Sequence, residues 1–117
     1  MYGRLSRYSF RVENEQRWAD AERQPEPPSV VLLAALDGFR GVWYLRSERA
    51  AGSADLVEVI FSLWDTREQA EAVRSLLGEK LARLFDEVGV SLAKPPDADV
   101  FAVVGGHMWE PGASPIT

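Results

Sequence analysis

The segment from Arg67 to Val88 constrains this chain more than any other. Apolar residues recur there at Ala70, Val73, Leu77, Leu81, Leu84 and Val88, in steps of three and four, while Arg67, Glu71, Arg74 and Arg83 fall on the opposite side. The spacing predicts a long amphipathic helix. Asp65 or Thr66 opens it, each with Glu68 or Gln69 three residues on, a pairing that satisfies free backbone N–H groups reciprocally. Gly89 closes it in the left-handed position that follows many helices. Each large apolar side chain fully buried is worth about 1.5–3 kcal/mol, so the stripe demands an apolar surface from the rest of the chain.

Strand patterns supply that surface. From Tyr2 to Val12, residues Arg4, Ser6, Tyr8, Phe10 and Val12 share one side, and Gly3, Leu5, Arg7, Ser9 and Arg11 the other. From Phe39 to Ser47, Phe39, Gly41, Trp43 and Leu45 alternate with Arg40, Val42, Tyr44 and Arg46. From Leu56 to Trp64, Val57, Val59, Phe61 and Leu63 alternate with Leu56, Glu58, Ile60, Ser62 and Trp64. The segment Glu48–Ala54 between these last two reads as a turn, making them an antiparallel hairpin. Asp99 to Val104 reads as a final, buried strand behind the rigid connection Lys94-Pro95-Pro96-Asp97.

The helical segment ENEQRWADAER, with Trp18, Ala19 and Ala21 near one face, ends at Pro25. Ser29 then caps a short apolar piece, Val30 to Leu36, closed by Asp37-Gly38. The order βαββαβ implies a ferredoxin-like α+β sandwich: a four-stranded antiparallel sheet with its helices on one face. Residues 1–105 form this one domain, and 106–117, rich in turn formers, form a C-terminal tail. Both faces of the central strands carry large side chains, so the second face needs cover, and a homodimer packed sheet against sheet provides it most simply.

Composition narrows the function. Among 117 residues, 18 acidic against 13 basic leave a net charge of -5, with no basic cluster to gather a nucleic acid. Cysteine is absent, which removes disulfides, thiol nucleophiles and Cys-ligated metals. The longest apolar run, Val30–Leu36, is far too short to span a membrane, and the N-terminus lacks the apolar core of a signal peptide, so a cytoplasmic protein is expected.

DGFRGVWYLRS followed by VEVIFSLWDTREQAEA resembles the dimeric α/β-barrel proteins typified by antibiotic biosynthesis monooxygenases, and MYGRLSRYSF is similar to that family's first strand. The resemblance spans residues 1 to about 104. It implies a dimeric α+β barrel and a cofactor-independent monooxygenase acting on an aromatic or polycyclic compound in a cavity between sheet and helices. Haem-degrading members use an asparagine on the first strand, a tryptophan ending the third, and a histidine on the long helix. Here Trp64 matches the tryptophan, Ser6 stands at the asparagine position, and Arg67–Val88 contains no histidine. The resemblance therefore does not extend to that reaction.

Glu58 sits mid-strand on a covered sheet, where a carboxylate must pair or hold its proton, and a raised pKa suits a general base. Glu58 with Tyr8 or Ser6 is thus the candidate catalytic set, without a cofactor or a metal. Arg40 or Arg46 could instead tie Glu58 into a structural ion pair. Trp64, Trp43, Tyr44 and Arg40 are candidates for substrate contact, with Trp64 and Trp43 as cavity walls. Against this stands a plainer possibility: both tryptophans as packing residues, in a non-catalytic homodimer that binds a small molecule or another protein. His107, the only histidine, lacks partners in sequence for metal binding.

Overall fold

The computed structural model describes residues 1–46, 55–92 and 95–107. The chain runs β1 (Tyr2–Arg11), a 3-10 turn (Val12–Asn14), α1 (Glu15–Glu22), α2 (Pro28–Ala34), β2 (Phe39–Arg46), β3 (Asp55–Trp64), α3 (Arg67–Val88) and β4 (Asp97–Ala102). The strands form one antiparallel sheet in the order β2-β3-β1-β4. This is the ferredoxin-like α+β arrangement that the element order implies.

The helices cover one face. Trp18 of α1, Leu33 of α2 and Ala70, Val73, Leu77 and Phe85 of α3 pack on Tyr8, Phe10, Ile60 and Trp64 of the central strands. Ladder register keeps the alternate row on the other face, where Leu5 stands opposite Phe61 and Trp43 opposite the same Phe61. Trp43, Leu45 and Phe101 of that row are each about half exposed, at 48%, 55% and 50%.

The start of α3 is fixed by Thr66, whose hydroxyl accepts from the Gln69 N–H at 3.2 Å while the Gln69 side chain accepts from the Thr66 N–H at 3.1 Å. Gly38 completes this corner: its carbonyl accepts from the Asp65 N–H at 2.9 Å, and its φ of 83° suits only glycine well. Gly89 ends the helix at φ 75°, and its carbonyl accepts from Arg17 at 3.2 Å and from Asn14 at 3.4 Å, tying the end of α3 to α1.

Three expectations are corrected. Ser29 does not cap α2; the helix begins two residues earlier than expected, at Pro28, whose missing N–H costs nothing in a first turn, and Ser29 lies inside it. Phe39 does not share a face with Trp43, because the ladder slips between Phe39 and Gly41, leaving Arg40 as the extra residue. Phe39 instead meets Trp64 edge-on at 5.5 Å beneath the helices. The last strand is not buried: β4 ends at Ala102, lies at the sheet edge, and leaves Val103 and Val104 exposed beyond it. The turn expected at Glu48–Ala54, Lys94 of the expected connection, and residues 108–117 of the expected tail lie outside the described residues.

Thr66→Ala removes a side-chain cap from the helix that seats the core. Urea denaturation should show a loss of about 1 kcal/mol with an unchanged m-value.

Candidate functional site

Alternation along β1 lays Arg4, Ser6, Tyr8 and Phe10 in a row under the helices, and β3 lays Glu58, Ile60, Ser62 and Trp64 beside them. Register sets Tyr8 opposite Glu58, Ser6 opposite Ile60 and Arg4 opposite Ser62. The core layer therefore contains a polar row, and it resolves into two separate centres.

The first is a cavity of about 170 Å3 between β1 and α3. Arg4, Ser6 and Tyr8 line it from the strand, and Arg74 from the helix. Val73, Leu81, Ala82, Phe85 and Leu92 give it apolar walls, Gly78 lies on its helical side, and Pro96 and Asp97 complete the lining. Arg4 is only 8% exposed, donates to the Ser6 hydroxyl and bonds the Tyr8 phenol. Burial pushes the Arg4 pKa down, opposed by the Tyr8 oxygen and reinforced by the like charge of Arg74. Burial likewise raises the Tyr8 pKa, and Arg4 opposes that shift.

The second centre surrounds Glu58, which is 2% exposed. Trp18 donates its indole N–H to one carboxyl oxygen, and Arg46 approaches the other at 3.1 Å. The same guanidinium lies 2.7 Å from Glu22 and 4.0 Å from Glu15. One cation thus faces three carboxyl groups. The pKa of Glu58 is pushed up to about 8, first by burial and then by the charge and hydrogen bond of Glu22; Trp18 and Arg46 pull it down. Burial and the neighbouring acid Glu22 together favour the protonated form of Glu58.

These positions sort the candidate residues. Ser6 and Tyr8 share the cavity; Glu58 does not line it. Glu58 is paired by Arg46, not by Arg40, which lies outside the helix layer and bonds Asp65 at 2.6 Å. Tyr44 spends its hydroxyl on Ser29 at 2.6 Å. Trp64 is completely buried and does not line the cavity; its indole N–H donates to Ser62 at 2.9 Å, so it seals the joint between β3 and α3. Trp43 lies on the opposite face of the sheet, against Phe61 with ring centres 6.1 Å apart, and cannot wall a cavity under the helices. His107 is exposed beyond β4. Among the described residues, no cluster of three or more His, Asp or Glu side chains is arranged to hold a metal ion.

Arg4, Arg74 and Gly78 also line the cavity, though no motif marks them in the sequence. For Arg4 the signal was present, since it shares the strand face of Ser6 and Tyr8. Arg74 reads from sequence as a water-facing helix residue, and it is exposed while also lining the cavity.

No family model matches the sequence, and no curated protein sequence matches it. Solved structures do. A Nitrosomonas europaea protein of unknown function superposes with a TM-score of 0.61 at 13% identity, over 93% of this chain and 94% of its own. A Bacillus cereus protein, named by assignment for antibiotic biosynthesis monooxygenases, gives 0.57 at 15% identity, over 92% and 97%. A Streptomyces coelicolor monooxygenase solved with the ligand nanaomycin D gives 0.51 at 18% identity, over 92% and 93%. At such identities the likeness is one of fold, and the fold is that of the antibiotic biosynthesis monooxygenase-like proteins.

The Glu58 proton sets a pH dependence. The folded state holds it up to about pH 8 and the unfolded chain releases it near 4.5, so this stabilisation is complete below 4.5 and is lost as pH rises through 8. The melting temperature should therefore fall from about pH 5 to about pH 9, and Glu58→Gln should flatten the fall. Equal slopes for the two proteins in thermal denaturation would refute this.

Proposed function

We propose that the chain is a homodimeric binding protein for a small aromatic molecule, held between β1 and α3. The observation that carries the reading is the cavity itself, with apolar walls and a few polar groups drawn from one strand and one helix, the composition of small-molecule sites. Its size favours one ring. An apolar cavity of about 150 Å3 takes benzene, whereas sites for larger ligands run to about 300–1,000 Å3. At about 170 Å3 it suits a single ring with a small substituent better than the polycyclic compound the sequence resemblance implies.

Gly78 supports the same reading. A glycine inside a helix costs about 0.5–1 kcal/mol relative to alanine, and here a Cβ would meet nothing within 4 Å, so packing does not require it. What its absence does is leave the helical side of the cavity open.

The open face of the sheet supports the dimer. Trp43, Leu45 and Phe101 stand half exposed beside Leu5, Val59, Phe61 and Leu63, an apolar row too continuous for a face in contact with water alone. A second copy, sheet against sheet, would cover it. The Streptomyces coelicolor structure, with its bound nanaomycin D, is a precedent for a ligand on this fold.

Oxygenation without a cofactor needs a base to make a substrate carbanion. The candidate base, Glu58, is buried with Trp18, Arg46 and Glu22 away from the cavity. The lining carboxylate Asp97 is engaged by Arg7 at 3.1 Å. Ser6 and Tyr8 remain as ligand contacts in this reading, without a proton acceptor of their own. Dioxygen uptake in the presence of phenols, quinols or anthrones would overturn it in favour of the oxygenase.

Gly78→Ala should raise stability by about 0.5–1 kcal/mol in chemical denaturation. Gly78→Leu should abolish the thermal stabilisation that one-ring aromatics give the unaltered protein, while leaving the fold intact by circular dichroism. On the other face, Leu45→Lys should convert a dimer into a monomer in analytical ultracentrifugation; an unaltered protein that sediments as a monomer would refute the dimer.

A further inference from the structure

The polar side chains of the cavity are unbalanced in charge. Arg4 is nine-tenths buried, and its side-chain partners are the neutral Ser6 and Tyr8. Arg74 bonds the Pro96 carbonyl oxygen at 3.3 Å. Among the described residues, no carboxylate forms an ion pair with either arginine. Asp97 of β4, which also lines the cavity, stands opposite Arg7 in the ladder and pairs with it on the open face, and Arg7 holds Asp99 as well, both at 3.1 Å. Two guanidinium groups therefore line one small apolar cavity and act on each other as like charges. Buried charge without a counter-charge is costly, and the planar fork of arginine suits a carboxylate in two-point contact.

We infer that the cavity recognises an anion: its ligand is a one-ring aromatic carboxylate, with the ring among Val73, Leu81 and Phe85 and the carboxylate between Arg4 and Arg74. Tyr8 adds a phenol O–H to the same oxygens. The inference rests on the proposed binding function and names the ligand class for it. Bringing in one negative charge would relieve the repulsion between the arginines and supply the counter-charge that the neutral partners of Arg4 do not. A phenol, neutral at pH 7, would gain the ring contacts alone.

Replacing Arg4 risks the fold, because the residue is buried in the central strand, so the main comparison uses the unaltered protein. Calorimetry at pH 7 should show benzoate binding about tenfold or more tightly than benzamide, which has the same shape without the charge. In Arg74→Gln, an exposed position, benzoate should weaken about tenfold and benzamide by less, so that the preference for benzoate narrows. Benzamide binding as tightly as benzoate, or a benzoate preference untouched by Arg74→Gln, would overturn the inference while leaving the cavity a binding site. Failure of benzoate, benzamide and phenol all to bind would overturn the inference together with the function on which it rests.

Discussion

The seating of α3 across β1 and β3 is the contact on which the rest of the molecule depends. Ala70, Val73 and Leu77 bring the first half of the helix down on the sheet, with Trp64 and Ile60 beneath, and Phe85 carries the contact on to Tyr8 and Trp18. Aromatic rings at 5.4 and 4.9 Å fill the space between helix, strand and α1. Where α3 turns small residues toward β1, at Gly78 and Ala82, the packing opens and the cavity appears. The cavity is thus a consequence of side-chain size along one flank of a helix that is well packed along its other flank.

A core that contains Arg4, Ser6, Glu58 and Ser62 must satisfy each of them, since a buried polar group left without a partner costs more than the bond it would make. Among the described residues, every buried side-chain nitrogen and oxygen has a hydrogen-bond partner. The two charged members reach that state differently. Glu58 is surrounded by the donors Trp18 and Arg46 and by a second acid, and burial with that acid shifts it toward its neutral form. Arg4 has no equivalent route, because a guanidinium does not give up its proton in a protein, and its hydroxyl partners bring no negative charge.

Much of the fold was legible because two periods, 3.6 for α3 and 2 for the strands, separate the residues into faces without reference to anything distant. The α3 stripe, the Thr66–Gln69 pairing, Gly89 and the alternating rows of β1 and β3 all follow from such local rules. The departures each involve a non-local partner. Phe39 changes face through a one-residue slip that its ladder with β3 imposes, and Ser29 is drawn into α2 while Tyr44 claims its hydroxyl. The site was less legible for the same reason. The alternation of β3 marks Glu58 as a carboxylate under cover, a candidate base or an arginine partner, but Trp18 and Glu22 reach it from α1 across a long sequence separation. Arg4 looked like any strand arginine until the register and α3 together showed it covered.

The two faces of the sheet are also not electrostatically independent. Arg7 stands on the open face, one step of alternation from Ser6 and Tyr8, and ties β1 to the edge strand through Asp97 and Asp99. Both of those acids are more than half exposed, so the pairs add little to stability in themselves. Ladder register places both acids on that open face, Asp97 opposite Arg7 and Asp99 opposite Leu5, so neither is aimed at the arginines beneath the helices. Arg4 and Arg74 are left facing a small apolar space with positive charge unanswered. The alternation of β4, which keeps its acids on the open face, therefore leaves the charge of the cavity to Arg4 and Arg74.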